Sequence, residues 1–565
     1  MVPEASLRGF LGSALDRCAA WYIGLPAETC NYTVTHHVAI PMQDGVDLIA
    51  DLYQPKVSAT EAASSSASSP PMLLVQGCYG RGLAMSLINA RLYAARGYLV
   101  LFVSCRGTFG SGGAFQPGRD EQRDSQDIVG WMRRQAWYPG SFATAGSSYL
   151  GYAQWALLHD PPADWVGAGV PAAAHDYADN HWGSGALRLD RITWSDTVAH
   201  QEDGDGARMR ARLLPPSGRL AKDKALAHAV FTGLPLHHGL HTYLAGSAPW
   251  VADVLAHPDP DDAYWEPTRH AAALERVDKP VFLASGWHDL FAAQTMHQYA
   301  RLRDRGCPVA LTVGPWSHYG AAGLEPLPDM LQFLDEHVAG RKGNRRRDPV
   351  RVYVMGADEW RSMPSWPPST KPRVWYLQGD KTLKTEASLT DATPSSSSFT
   401  FDPSSPSPTI GGPLLAGGGR VNDSAYASRS DMLVYTSSRL EADVEILGRP
   451  AVEMTHSSDT PYVDLWVRLS EVDRAGVSHN ITESFQALDP KRDGATPIRV
   501  EMRDCAHRFR KGMRIRLIVA GGSFPQYARS LGAEGNRVMG SIAKPACHTI
   551  RYSSGGSKLI LPTAA

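Results

Sequence analysis

Between residues 71 and 318 the chain repeats one arrangement, a short apolar run closed by glycine, serine or a polar side chain. The runs are "PMLLVQG", "LVLFVSCRG", "SFATAG", "WVGAGVPAAA", "PVFLASGWHD" and "VALTVGPWSH", and several are separated by helical patterns such as "LINARLYAARG" and "DSQDIVGWMRRQ". Strand and helix in alternation imply a parallel sheet with both faces covered. In such sheets ligands bind at the carboxyl ends of the strands, so the polar residues that close the runs are the candidates for function. After a short N-terminal helix, "VTHHVAIPMQDGVDLIADLYQP" reads as two strands joined at Gln43-Asp44-Gly45, because Asp-Gly supplies the positive φ that a tight hairpin needs.

The pattern changes twice further along. From 176 to 277 helix-like segments rich in His, Trp and Pro interrupt the sheet, which reads as a cap over the site. A basic stretch, "GRKGNRRRDP", then marks a boundary and is a solvated linker. Beyond it "VRVYVMG", "RVWYLQG", "SSFTFDP", "MLVYTS", "VEILGRPAVEMTHSS", "YVDLWVRLSEV" and "MRIRLIVAG" are short strands with turn residues between them and few helices, the signature of a β-sandwich of the jelly-roll kind. The expected units are therefore an α/β unit in two parts, 1–175 and 278–345, a cap over 176–277 and a sandwich over 346–565. The Ser/Ala run "VSATEAASSSASSPP" has too little apolar surface to pack and reads as a mobile surface loop.

A net charge of -1 gives no electrostatic case for nucleic acid or an anionic membrane as partner. Small or neutral substrates fit better. The N-terminus lacks a basic head followed by an unbroken apolar run, so it does not read as a secretory signal, and no stretch reaches transmembrane length. The default compartment is the cytoplasm. Seven scattered cysteines suit a reducing compartment and show no zinc-ligand spacing, so no metal or other cofactor is expected.

One strand-to-helix junction stands out. A nucleophile elbow needs small residues around its serine because neighbouring backbones come too close for side chains. "Gly146-Ser147-Ser148-Tyr149-Leu150-Gly151" meets that need in a variant form: Gly146 lies two before Ser148, but the downstream glycine lies three after it rather than two. A serine hydroxyl also needs a histidine to take its proton and a carboxylate to fix that histidine. Downstream, one buried run ends at Asp289 and the next at His318, in the hydrolase order of serine, acid, histidine. Either residue alone reads equally as a turn residue; the ordered set reads as a triad.

These segments carry a family resemblance. "GSSYLG" resembles the elbow of the cocaine esterase/X-Pro dipeptidyl-peptidase group of α/β-hydrolases, and "SGWHD" and "GPWSH" resemble its acid and histidine segments. "SCRGTFGSGG", "DIVGWMRRQAWYPG", "VRVYVMGADEWR" and "FDPSSPSPTIGG" are similar to its other stretches, so the resemblance runs from about Thr35 to the C-terminus. It implies an α/β hydrolase fold, mostly parallel in its sheet, with a helical cap insertion and a C-terminal β-sandwich jelly-roll domain. It also implies Ser148 as nucleophile, His318 as general base and acid, Asp289 as the orienting carboxylate, and a tyrosine hydroxyl, here Tyr79, as an oxyanion donor. The backbone N–H of Tyr149 is the second donor by elbow geometry.

Trp182 and Phe291 stand where relatives place aromatic residues around the acyl group, and Trp265 in "DDAYWEP" is a further candidate beside them, which favours an apolar or aromatic ester. The cap segment "ADNHWGSG" offers Asp179, with Asp261 and Asp262 farther on, too few acids for the ammonium-binding cluster of amino-acid ester hydrolases. The reading is a serine esterase working through an acyl-enzyme on a small-molecule ester, with homodimerisation open. An acyltransferase using the same acyl-enzyme, an X-Pro dipeptidyl-peptidase or amino-acid ester hydrolase, and a non-catalytic ligand-binding relative are the alternatives.

Overall fold

An apolar run that does not alternate is stable as a strand only if both its faces are covered. In the computed structural model, which describes residues 5–56, 69–203, 230–244, 246–341, 346–387, 395–494, 496–552 and 556–564, the runs form the centre of one sheet. At one edge lie β1 (Ser6–Leu7), β2 (Asn31–Pro41) and β3 (Asp47–Lys56), antiparallel to one another. The parallel body is β4 (Met72–Gly77), β5 (Leu99–Ser104), β6 (Phe142–Ala145), β7 (Trp165–Pro171), β8 (Val281–His288) and β9 (Val309–Ser317). The strand order is β1-β2-β3-β5-β4-β6-β7-β8-β9, followed by two further strands described below.

Every residue of β4, β5, β6 and β8 is buried. Alternate side chains feed two cores. Met72, Leu74, Val281 and Leu283 face the helices Glu121–Met132, Tyr149–Leu157 and Ala292–Asp304, whereas Leu73, Val75, Phe282 and Ala284 pack with the helix Leu327–His337. The Asp-Gly hairpin is present, with Gly45 at φ +83° and its N–H donating to the Met42 carbonyl at 3.1 Å.

The two remaining strands extend the first sheet. β10 (Val350–Val354) pairs parallel with β9, Val350 beside Leu311 and Val352 beside Val313, and β11 (Glu359–Met363) returns antiparallel to β10. "VRVYVMG" thus completes the first sheet instead of opening the sandwich. Its alternate valines Val350, Val352 and Val354 are fully buried and cover what would otherwise be an open edge of β9. Alternation alone does not say which of two sheets a strand joins.

The sandwich proper begins with the strand Thr370–Leu377. In its interior Asp464–Val472 lies antiparallel to both Ser478–Ala487 and Arg514–Ala520. Between β7 and β8 the helices Tyr177–Trp182, Asp190–Ala199, Leu236–Leu244 and Trp250–Ala256 make the cap. They share an apolar cluster with Cys78 and Tyr149, so the cap rests on the carboxyl ends of the central strands. The sandwich reaches the same place: Leu415 packs on Ala174, Leu290 and Phe291, and Arg188 Nη2 donates to the Pro413 carbonyl at 3.0 Å.

The expected Ser/Ala surface loop and the middle of the basic linker lie outside the described residues. No disulfide joins any of the seven cysteines. Among the described residues no helix is long and apolar enough to cross a membrane.

Candidate active site

The turn from β6 into the helix Tyr149–Leu157 holds Ser148 at φ +57°, ψ −122°, a backbone state rare for a residue with a side chain. Its surroundings explain the displaced glycine. A Cβ on Gly151 would lie 2.4 Å from the Ala173 Cβ, so clearance is needed there, three places after Ser148. The place two after it is Leu150, which fits because its neighbours Gly146 and Gly77 have no side chains; a Cβ on either would come within 2.6 Å of the Leu150 side chain.

The two serines point to different partners. Ser147 Oγ donates to the Ala322 carbonyl, tying the elbow to the segment after His318. Ser148 Oγ lies 3.0 Å from His318 Nε2, and His318 Nδ1 lies 2.8 Å from Asp289 Oδ1. Asp289 is fully buried, accepting from Ser285 Oγ at 2.8 Å and from the Phe291 N–H at 3.2 Å. Burial raises the proton affinity of its carboxyl. The adjacent His318 and the bonds from His318, Ser285 and Phe291 outweigh that and hold it below the usual carboxylate range.

Tyr79 follows β4 directly, in the loop on the opposite side of Ser148. Its Oη accepts from Trp194 Nε1 at 3.0 Å, and burial pushes the phenol far up, so it remains protonated. The Tyr149 N–H opens a helix, where amides have no intrahelical acceptor. The Tyr149 ring stacks on Trp194 at 5.7 Å, and its hydroxyl donates to Glu121 and accepts from the Gly118 N–H.

Glu121 sits below the elbow, and burial raises its carboxyl to about 8. Such a group holds its proton in the fold but loses it near pH 4.5 when unfolded, so its effect on stability is smallest below that value. Stability then falls as pH rises toward 8. Glu121→Gln is expected to remove about half or more of the fall in melting temperature between pH 5 and 8, measured by scanning calorimetry.

The cavity beside Ser148 has a volume of about 20 Å³, hardly more than one water requires. Tyr79, Tyr149 and Phe291 line it, and the Phe291 ring meets the His318 ring edge-on at 5.3 Å. Trp182 and Trp265 do not. Their indole N–H groups donate to the carbonyls of Val254 and His257, at 3.0 and 3.1 Å, and both rings fill the interior of the cap. A cap of short helices needs bulk to close its own core, and these two indoles supply part of it.

Sequence reasoning missed Tyr152, Tyr177, Asn180, Arg191, Trp194 and Leu415, all of which line the cavity. Asp179, Asp261 and Asp262 stay out of it: Asp179 accepts from Gln294, Asp262 caps Tyr264 and pairs with His257, and Asp261 is exposed. Trp194 had a usable signal, a second cap tryptophan at the fifth residue of the helix Asp190–Ala199. Leu415 lies in a glycine-rich loop of the other unit and had none.

A mostly parallel sheet that presents serine, carboxylate and histidine at the carboxyl ends of β6, β8 and β9, under a helical cap, defines an α/β-hydrolase of the serine hydrolase class. The chain matches the family described as X-Pro dipeptidyl-peptidase (S15 family) over residues 44–320, and that family's C-terminal non-catalytic domain over 343–551. It belongs to the cocaine esterase/X-Pro dipeptidyl-peptidase family. It is 27% identical to the cocaine esterase of Rhodococcus sp. (strain MB1 Bresler), over 89% of this chain and 93% of that protein. In fold it is similar to an α-amino acid ester hydrolase, with a TM-score of 0.76 and 18% identity over 94% of this chain and 97% of the other. It is also similar to an aminopeptidase from a marine sediment Thaumarchaeota archaeon, with a TM-score of 0.75 and 19% identity over 94% and 96%.

Proposed function

We propose that this serine hydrolase cleaves a carboxylic ester through an acyl-enzyme on Ser148, and that the acyl group is largely apolar or aromatic. The observation that carries the reading is the unbroken relay from Ser148 Oγ to His318 at 3.0 Å and from His318 to buried Asp289 at 2.8 Å. Ser148 Oγ bonds to the ester carbonyl carbon as its proton passes to His318 Nε2. The bond to the alcohol oxygen then breaks, and His318 returns the proton to that departing oxygen. Water repeats the sequence on the acyl-enzyme and releases the acid.

Asp289 keeps the imidazole in the tautomer with Nδ1–H toward the carboxylate and stabilises its charged form. The Tyr79 hydroxyl and the Tyr149 N–H serve the oxyanion. The rings of Tyr149, Tyr177, Trp194 and Phe291 supply the apolar wall for the acyl group.

Labelling with a fluorophosphonate followed by peptide mapping tests this. Wild-type protein and Ser147→Ala are expected to carry the label on Ser148, and His318→Ala to carry none. Folded wild-type protein that takes no label would sink the reading.

A further inference from the structure

Among the residues that line the cavity none is acidic, and one is a buried arginine. Arg191 is 5% exposed, and its guanidinium lies over the Phe291 ring, 5.4 Å from the centroid. Its Nε faces Asp190 Oδ1 at 3.3 Å, but its Nη2 is buried with no hydrogen-bond partner. Asp190 cannot satisfy it alone, because the other oxygen of that carboxylate takes Arg188 Nη2 at 2.9 Å. One carboxylate thus stands between two guanidiniums, and Arg191 faces the cavity with a donor that Asp190 does not reach. The nearby Asp179 is turned to Gln294 and lines the neighbouring cavity instead. A buried guanidinium N–H left unpaired is costly, so an acceptor brought by the substrate is strongly favoured there.

We infer that Arg191 is a specificity-determining residue for an acyl group that bears a carboxylate, as in a monoester of a dicarboxylic acid. The inference rests on the esterase reading and narrows its substrate. The alcohol must leave toward solvent while the acyl group stays on Ser148, so an enclosed wall serves the acyl part. The cavity has to widen beyond its resting volume of about 20 Å³ to admit the acyl group, whereupon the apolar rings hold its chain and Arg191 takes its far end. An aminoacyl ester would bring an ammonium, itself a donor, against the unpaired guanidinium, so the chemistry selects against it.

The test compares 4-nitrophenyl hemiadipate with 4-nitrophenyl hexanoate, six-carbon acyl groups that differ in the terminal carboxylate, after subtraction of spontaneous hydrolysis. Wild-type protein is expected to favour the hemiadipate in kcat/KM by about tenfold to a hundredfold, the worth of one charged hydrogen bond. Arg191→Gln is expected to bring that ratio to about one, and Arg191→Lys to an intermediate value. Protection of wild-type protein from the fluorophosphonate by free adipate over hexanoate asks the same question without a variant.

Equal or better turnover of the hexanoate overturns the inference, as does a preference that survives in Arg191→Gln. So does a preference for 4-acetoxybenzoate over phenyl acetate in place of the acyl preference, since it would put the carboxylate on the leaving group. Labelling of Ser148 in the same samples separates the failures. A labelled enzyme without the preference loses only this inference, whereas an unlabelled, inactive one loses the esterase reading and this with it.

Discussion

Ser148→Ala is expected to lower kcat for ester hydrolysis by about 10⁴-fold to 10⁶-fold while KM changes little, measured with 4-nitrophenyl esters. The size follows from what the side chain does. Without Oγ there is no atom to carry the acyl group, and what remains is a cavity that binds the ester and offers oxyanion donors to water, worth about 10³-fold to 10⁴-fold over solution. Because Ser148, His318 and Asp289 form one relay, the losses do not add. Ser148→Ala with His318→Ala is expected to be no slower than Ser148→Ala alone. Ser147→Ala loses only the tie to the Ala322 carbonyl and is expected to stay within about tenfold of wild type. A Ser148→Ala protein that keeps a tenth of the activity would mean that the ester is cleaved elsewhere.

The site was legible where sequence and backbone share a cause. A strand buried on both faces has to be apolar throughout, so β4, β5, β6 and β8 announced themselves, and the residues after β8 and β9 had to be Asp289 and His318. The elbow was legible through its glycines, although the reason for their unusual spacing was not. That reason is spatial: Ala173 and Gly77, far apart in sequence, set the room that Gly151 and Leu150 can use.

The cavity wall was less legible for the same kind of reason. Trp182, Trp194 and Trp265 are chemically identical, and only the way the cap helices pack turns Trp194 toward Ser148 and the other two into the cap. Arg191 gave no sign in the sequence. An arginine next to an aspartate reads as a surface pair until burial and the competing Arg188 show that one of its donors goes unused. The pairing of β10 with β9 was not legible, because its alternating valines fit either sheet.

Tyr79→Phe is expected to lower kcat by about 100-fold to 1000-fold, the typical loss of one oxyanion donor, with KM almost unchanged. Trp194 Nε1–H occupies an acceptor position on Oη at 3.0 Å, burial keeps the phenol protonated, and the hydroxyl is within hydrogen-bonding reach of Ser148, so its proton can turn to an oxygen that forms beside that side chain. The partner that gains most is the oxygen that becomes negative as Ser148 attacks, because the bond strengthens between ground state and transition state. Removing the hydroxyl therefore raises the barrier without weakening the resting complex. Trp194→Phe leaves the donor in place and removes only what orients it, so its loss is expected to be smaller, about tenfold. The double variant is expected to be no worse than Tyr79→Phe, since an orienting bond has no effect once its target is gone. If Tyr79→Phe instead raised KM with kcat intact, the hydroxyl would be binding the ester before reaction, and the oxyanion would have to rest on the Tyr149 N–H and another donor.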